Sequence, residues 1–169
     1  MNDTALPTPT PATYRGLFGW RTDIRFGDLY LALTGDTVAV SVPATAGRAP
    51  RVRDWLTILG CCGPIIATWD PNRWTFLADA NGTVLSQRDM PPGLTLLKCP
   101  DSIRLPTAAT ADLHWIQPPE PSRRWLPTLP TIVEAARPGH WPGTWSYARK
   151  HKTLQIRRRW IKPSVHNQG

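Results

Sequence analysis

Apolar positions along the chain change period several times, and each change marks an element. "DLYLAL" (28–33) and "TVAVSV" (37–42) alternate or run apolar with β-branched and aromatic residues, and the turn-forming "TGD" (34–36) lies between them. This pattern predicts a β-hairpin. The period then shifts in "APRVRDWLTILG" (49–60), where Val52, Trp55, Leu56 and Leu59 recur at i, i+3, i+4 and i+7. Pro50 suits a first helical turn and Gly60 the position just past the end, so a helix is predicted. "PIIATW" (64–69) and "RWTFLA" (73–78) flank "DPN" (70–72) as a second hairpin, and "NG" (81–82) turns the chain before a strand at "TVLSQ" (83–87). Strands follow at 94–99, 102–106 and 113–118, each ended by Pro or Gly, and Pro118, Pro119 and Pro121 stop the sheet. Thr131 and Glu134 have capping-box spacing, which predicts a short helix over 131–137 ended by Pro138-Gly139.

The connections between strands in 64–118 are mostly too short for parallel crossovers. The expected fold is therefore α+β, a small mixed or mostly antiparallel sheet with one or two helices packed on one face, plus a basic C-terminal arm. A chain of 169 residues with 41% hydrophobic content can bury one core. The expected organisation is a disordered Pro-rich leader at 1–13, one α+β domain at 14–137, and a Trp-containing linker and basic tail at 138–169. The leader repeats Pro7, Pro9 and Pro11 among Thr and Ala, which favours extended, solvated chain. It has neither a basic nor an apolar signal region, and no stretch is long and apolar enough for a transmembrane segment, so a soluble cytoplasmic protein is expected.

Charge is unevenly placed. The formal net charge is +8, but residues 1–148 carry 13 Lys/Arg against 12 Asp/Glu, whereas residues 149–169 carry seven Lys/Arg and no acid. A cationic block attracts polyanions by counterion release. The expected partner is DNA or RNA held by its backbone with low sequence specificity. Arg149, Lys150, Lys152, Arg157, Arg158, Arg159 and Lys162 supply the charge, and Trp160 is a candidate stacking group. The alternatives are a solvated tail or an arm that engages an acidic protein partner. Of nine tryptophans, Trp55, Trp74 and Trp115 sit in apolar patterns and are expected in the core. Trp141, Trp145 and Trp160 lie in Pro/Gly-rich or basic surroundings, either to stack bases or to clamp the tail.

Cys61, Cys62 and Cys99 are odd in number and lack metal-ligand spacing with His114, His140, His151 and His166. No cofactor is expected. Ser41, His114 and Asp70 could be drawn as a triad, but no nucleophile-elbow motif supports it. Asp23, Asp28, Asp36 and Asp54 read as solvated surface acids.

The order of pieces over 37–119 resembles the later part of primase-polymerase domains, the archaeo-eukaryotic primase-like fold of actinobacterial and phage replication proteins. Three stretches carry the likeness. "VAVSVP" (38–43) followed by a helix resembles the family strand that ends in two acids spaced by one. "PIIATWDPNRWTFL" (64–77) resembles the strand, turn and strand in which a His precedes an aromatic-bearing strand. "PGLTLLKCPDSIRLPTAATADLHWIQPP" (92–119) resembles the segment that bears a third acid and an aromatic-Trp pair. The resemblance implies a two-metal nucleotidyltransferase site, which needs hard carboxylate ligands. Carried over, the acid pair falls on Ser41 and Pro43, or on Val40 and Val42, the His on Trp74 and the third acid on Thr95. None is an acid or a His, and Asp101 lies too far along to substitute. The expectation is a catalytically inactive relative, a pseudoenzyme accessory to DNA replication or to a mobile element.

Overall fold

A computed structural model describes residues 10–69 and 72–137. All described residues belong to one compact unit, Met1–Arg137. Helix α1 (Pro11–Phe18) begins three residues before the expected start of the ordered part. Thr10 and Thr13 cap it reciprocally at 3.2 and 3.3 Å. Pro11 sits in the first turn, where its missing N–H has no intrahelical acceptor to lose, so the residue that favours extended chain elsewhere favours a helix here. Strands β1 (Thr22–Arg25) and β2 (Asp28–Ala32) make a two-residue hairpin through Phe26-Gly27.

The predicted hairpin between 28–33 and 37–42 does not form. β2 pairs with β1 and with β7 (Ser102–Arg104), giving a three-stranded sheet in the order β1-β2-β7. Strand β3 (Thr37–Pro43) lies in a second sheet of five strands, ordered β6-β3-β5-β4-β8. Here β4 is Ile65–Thr68, β5 is Arg73–Asp79, β6 is Thr95–Leu97 and β8 is Leu113–Gln117. "TGD" does turn, because the Thr34 hydroxyl accepts from the Asp36 and Thr37 N–H groups at 3.3 and 3.0 Å, but the turn hands the chain from one sheet to the other. The predicted β4–β5 hairpin does form, in the register Ile65↔Phe76 to Thr68↔Arg73.

Among the described residues every pairing between named strands is antiparallel, with one isolated parallel bridge from Asp79 to Thr128, and the fold class is α+β. Helices α2 (Arg48–Ile58) and α3 (Leu129–Ala135) pack together on one face of the five-stranded sheet. Val52 and Leu56 of α2 and Ile132 of α3 meet Val40, Val42, Ile65 and Phe76 there, all essentially without exposure. On the opposite face Ala39, Ile66 and Leu77 meet Leu29, Leu31 and Ile103 of the smaller sheet, with Tyr14 and Trp20 stacked at 5.6 Å beside them. Two cores thus share β3 and β5, whose residues alternate between them. Trp55, Trp74 and Trp115 are half-buried at the margins of these cores. Leu59, expected on the buried stripe of α2, is exposed at its C-cap, and Gly60 follows at φ +71.

Two further expectations fail for local reasons. Residues 83–87 form no strand: Val84 is exposed, and Ser86 and Asp89 cap a short 3₁₀ turn over 87–89. The Gln87 side chain then acts as a surrogate strand, donating to the Leu94 carbonyl and accepting from the Leu96 N–H, at 2.7 and 2.8 Å, along β6. Helix α3 starts at Leu129 behind Thr128, with Pro130 in its first turn, so the Thr131–Glu134 box does not form. Glu134 pairs with Arg137 instead, at 3.4 Å. The chain between β8 and α3 lies tight against the loop that leads into β4: a Cβ on Gly63 would come within 2.5 Å of Pro127 Cδ. No helix among the described residues is long and apolar enough to cross a membrane.

Candidate nucleic-acid interface

The end of the five-stranded sheet at the β4–β5 turn gathers cationic and aromatic side chains. On the helix-bearing face, strand register lines up Val42, Trp74, Ala67 and His114 across β3, β5, β4 and β8. The Arg53 guanidinium, from the middle of α2, lies 5.7 Å from the centre of the Trp74 ring, and it also holds Asp54 through two hydrogen bonds at 3.0 and 2.7 Å. Ala67 is only 3% exposed, so the row is closed over. Trp69, directly after β4, is 69% exposed. Its ring centre lies 5.2 Å from that of His114 with a 34° tilt, and the Trp69 backbone N–H donates to the Asp112 carbonyl at 3.3 Å. The His114 Nδ1 atom is buried and has no hydrogen-bond partner among the described residues.

The other face of the same end is polar. Ser41 stands in register with Thr75 and Thr95 on its two neighbouring strands. Arg73, at the start of β5, folds back across them. Its Nε donates to Ser41 Oγ at 2.7 Å, and its Nη2 donates to the Ser41 and Gly93 carbonyls and to Thr95 Oγ1 at 2.8, 3.0 and 3.3 Å. Arg48, at the start of α2, donates to the Ala136 carbonyl through Nε and Nη2 at 3.2 and 2.8 Å, and to the Pro92 carbonyl through Nη1 at 2.6 Å. Ala136 caps α3, so Arg48 satisfies a carbonyl left over at that helix end. Gly93, at φ +82, lies between the two arginines; Arg48 Nη1 is 3.5 Å from where its Cβ would stand. Both guanidinium groups donate to neutral oxygens, and neither forms an ion pair among the described residues. Burial holds both below the ordinary arginine value. Their positive charge is therefore held by hydrogen bonds to neutral oxygens, with no acid at ion-pair distance among the described residues.

The seven tail cations and Trp141, Trp145 and Trp160 lie outside the described residues. The positions taken over from the primase-polymerase resemblance come onto adjacent strands but not onto one face. Ser41 and Thr95 are partners on the polar face, whereas Trp74 shares the helix-bearing face with Val40 and Val42, which are fully buried. Neither register of the acid pair puts all these positions on one side of the sheet. Among the described residues no group of three or more His, Cys, Asp or Glu could hold a metal ion. The Cys61 and Cys62 thiols are pushed up by burial, which disfavours the thiolate.

The sequence reading did not single out Trp69, Arg73 or the Trp69–His114 contact. A tryptophan directly before an Asp-Pro-Asn turn was the available signal, since hairpin ends favour small and polar residues. No protein-family model, no curated protein and no solved structure matches the chain.

Proposed function

We propose that the protein binds nucleic acid through the phosphate backbone, with low sequence specificity, and acts as a catalytically inactive primase-polymerase-like accessory protein in the cytoplasm. The observation that carries the reading is the charge asymmetry: seven cations and no acid in residues 149–169, against near-neutrality in the remainder. Arg48 and Arg73, which donate to neutral oxygens and have no ion pair among the described residues, support it. Free thiols at Cys61, Cys62 and Cys99 suit a reducing compartment. The replication setting rests on the family resemblance alone.

The test is fluorescence anisotropy with labelled single- and double-stranded DNA and RNA across a salt series. The full chain is compared with a full-length variant whose seven tail cations are replaced by Gln. If all seven engage duplex phosphates, log K falls against log salt with a slope of about −6, and the variant loses most of that slope. A salt-independent affinity, or no binding at all, refutes the reading and leaves an acidic protein surface as the partner to seek.

A further inference from the structure

We propose that the outer edge of β1 is the contact surface for a second copy of this chain, the two β1 strands pairing antiparallel about a two-fold axis at Ile24. The inference is independent of the nucleic-acid reading. β1 is an edge strand of the smaller sheet, and the Ala32 N–H donates to the Arg21 carbonyl at 2.8 Å. Hydrogen-bonded pairs recur at every second residue of an antiparallel ladder, so Asp23↔Tyr30 and Arg25↔Asp28 are bonded pairs as well. The backbone N–H and carbonyl groups of Thr22 and Ile24 therefore point outward, and no hydrogen bond among the described residues reaches them. The edge of β6, by contrast, is closed by the Gln87 amide. Ile24 is 62% exposed although it lies on the apolar face of its sheet, in register with the buried Leu29. An open edge with an unburied apolar residue at its centre is a template for another strand.

Charge chooses both the partner and the register. Asp23 and Arg25 flank Ile24 on the opposite face of the sheet. There Arg25 holds Asp23 at 2.7 Å, lies 5.6 Å from the centre of the Tyr30 ring and donates to Ser102 Oγ at 3.3 Å. With two β1 strands centred on Ile24, each Asp23 faces Arg25 of the other copy, and the four charges alternate in a ring. Cross-strand pairs of opposite charge are favourable and like pairs are not. Moving the centre by one residue sets Asp23 or Arg25 opposite itself, so only the Ile24 register satisfies both. Arg21 then falls opposite Gly27, outside the ring, and Asp28 is already held by Arg104. The sequence around Ile24 is thus complementary to itself, as a closed two-fold contact requires. Phe26 follows at φ +53, which ends regular pairing, so the contact is short and the dimer weak.

The experiment is sedimentation velocity on the full chain, at concentrations up to about 1 mM and in about 0.15 M salt, which screens the repulsion between two copies of net charge +8. Wild type is expected to pass from monomer to dimer across the series. Ile24→Lys, Asp23→Arg and Arg25→Asp should each weaken association at least about 10-fold, with melting temperatures confirming that each variant folds. An equimolar mixture of the Asp23→Arg and Arg25→Asp chains should restore the dimer, because one chain then carries two cations where the other carries two acids. A wild type that stays monomeric at the highest concentration overturns the proposal. So does a dimer that survives Ile24→Lys, or a mixture of the two charge variants that fails to associate.

Discussion

Replacing Arg73 by Met removes four donated hydrogen bonds while keeping a stem of similar length. The four are not equal. The bonds to the Gly93 carbonyl and Thr95 Oγ1 are at exposed sites, where water takes the vacated positions at little net cost. Those to Ser41 are part-buried, and Ser41 itself is 8% exposed, so its hydroxyl and carbonyl lose a donor that water reaches poorly. With about 1–3 kcal/mol for a stranded buried acceptor, and a discount because the Ser41 hydroxyl can rotate, the expected loss is roughly 1.5–3 kcal/mol. For a chain of this size that lowers the melting temperature by roughly 3–12 °C. Arg73→Lys should lose nearly as much, because an ammonium cannot reproduce the fork that spans β3 and β6. The assay is urea unfolding followed by tryptophan fluorescence, run as a double-mutant cycle with Ser41→Ala. Removing both partners leaves fewer stranded groups, so a coupling energy of about 1 kcal/mol is expected. An Arg73→Met variant within about 0.5 kcal/mol of wild type, or an additive cycle, would refute the assignment of Arg73 as the tie between β3 and β6.

Two smaller perturbations probe the turns. Phe26 sits at φ +53 in the β1–β2 turn, followed by Gly27 at φ +87, and its side chain is fully exposed. Such turns favour Asn at that place, so Phe26→Asn should stabilise the fold by roughly 0.5–1 kcal/mol; a lower melting temperature would show that the ring makes contacts the fold depends on. Asp89 accepts hydrogen bonds from the Ser86 N–H and hydroxyl at 2.7 and 2.8 Å, which hold its carboxyl below its ordinary value of 3.8. A depressed carboxyl contributes stability that is present above the ordinary value and lost as pH falls through the depressed one. Wild type should therefore exceed Asp89→Asn in stability at neutral pH and converge with it in acid; a constant gap in chemical unfolding midpoints across that range would sink the assignment.

Local pattern was enough wherever the deciding contact was close in sequence. The period of Val52, Trp55 and Leu56 with Gly60 behind them marked α2, and "DPN" between two apolar runs marked β4 and β5. Failure came where a distant partner chose. "TGD" has hairpin chemistry, yet β2 takes β7 as its second neighbour and β3 takes β5 and β6. Turn residues report backbone angles at the turn, not which strand lies alongside. "TVLSQ" alternates like a strand, but the Ser86–Asp89 cap and the Gln87 amide occupy its polar groups. The candidate site was illegible for the same reason: Ser41, Arg73 and Thr95 become neighbours only through strand register.

The pairing of Tyr30 with Arg104 bears on how the molecule is made. β7 emerges about 70 residues after β2, so closing the smaller sheet is a long-range event of the kind that slows folding. On the ribosome, the β1–β2 hairpin waits for that partner through the synthesis of all the intervening strands. The apolar side of β3 and β5 that it covers, Ala39 and Leu77, is unshielded for the same interval. A nascent chain paused before Ser102 would present sticky surface, and the stretch from β6 to β7 is where a holding chaperone would matter most.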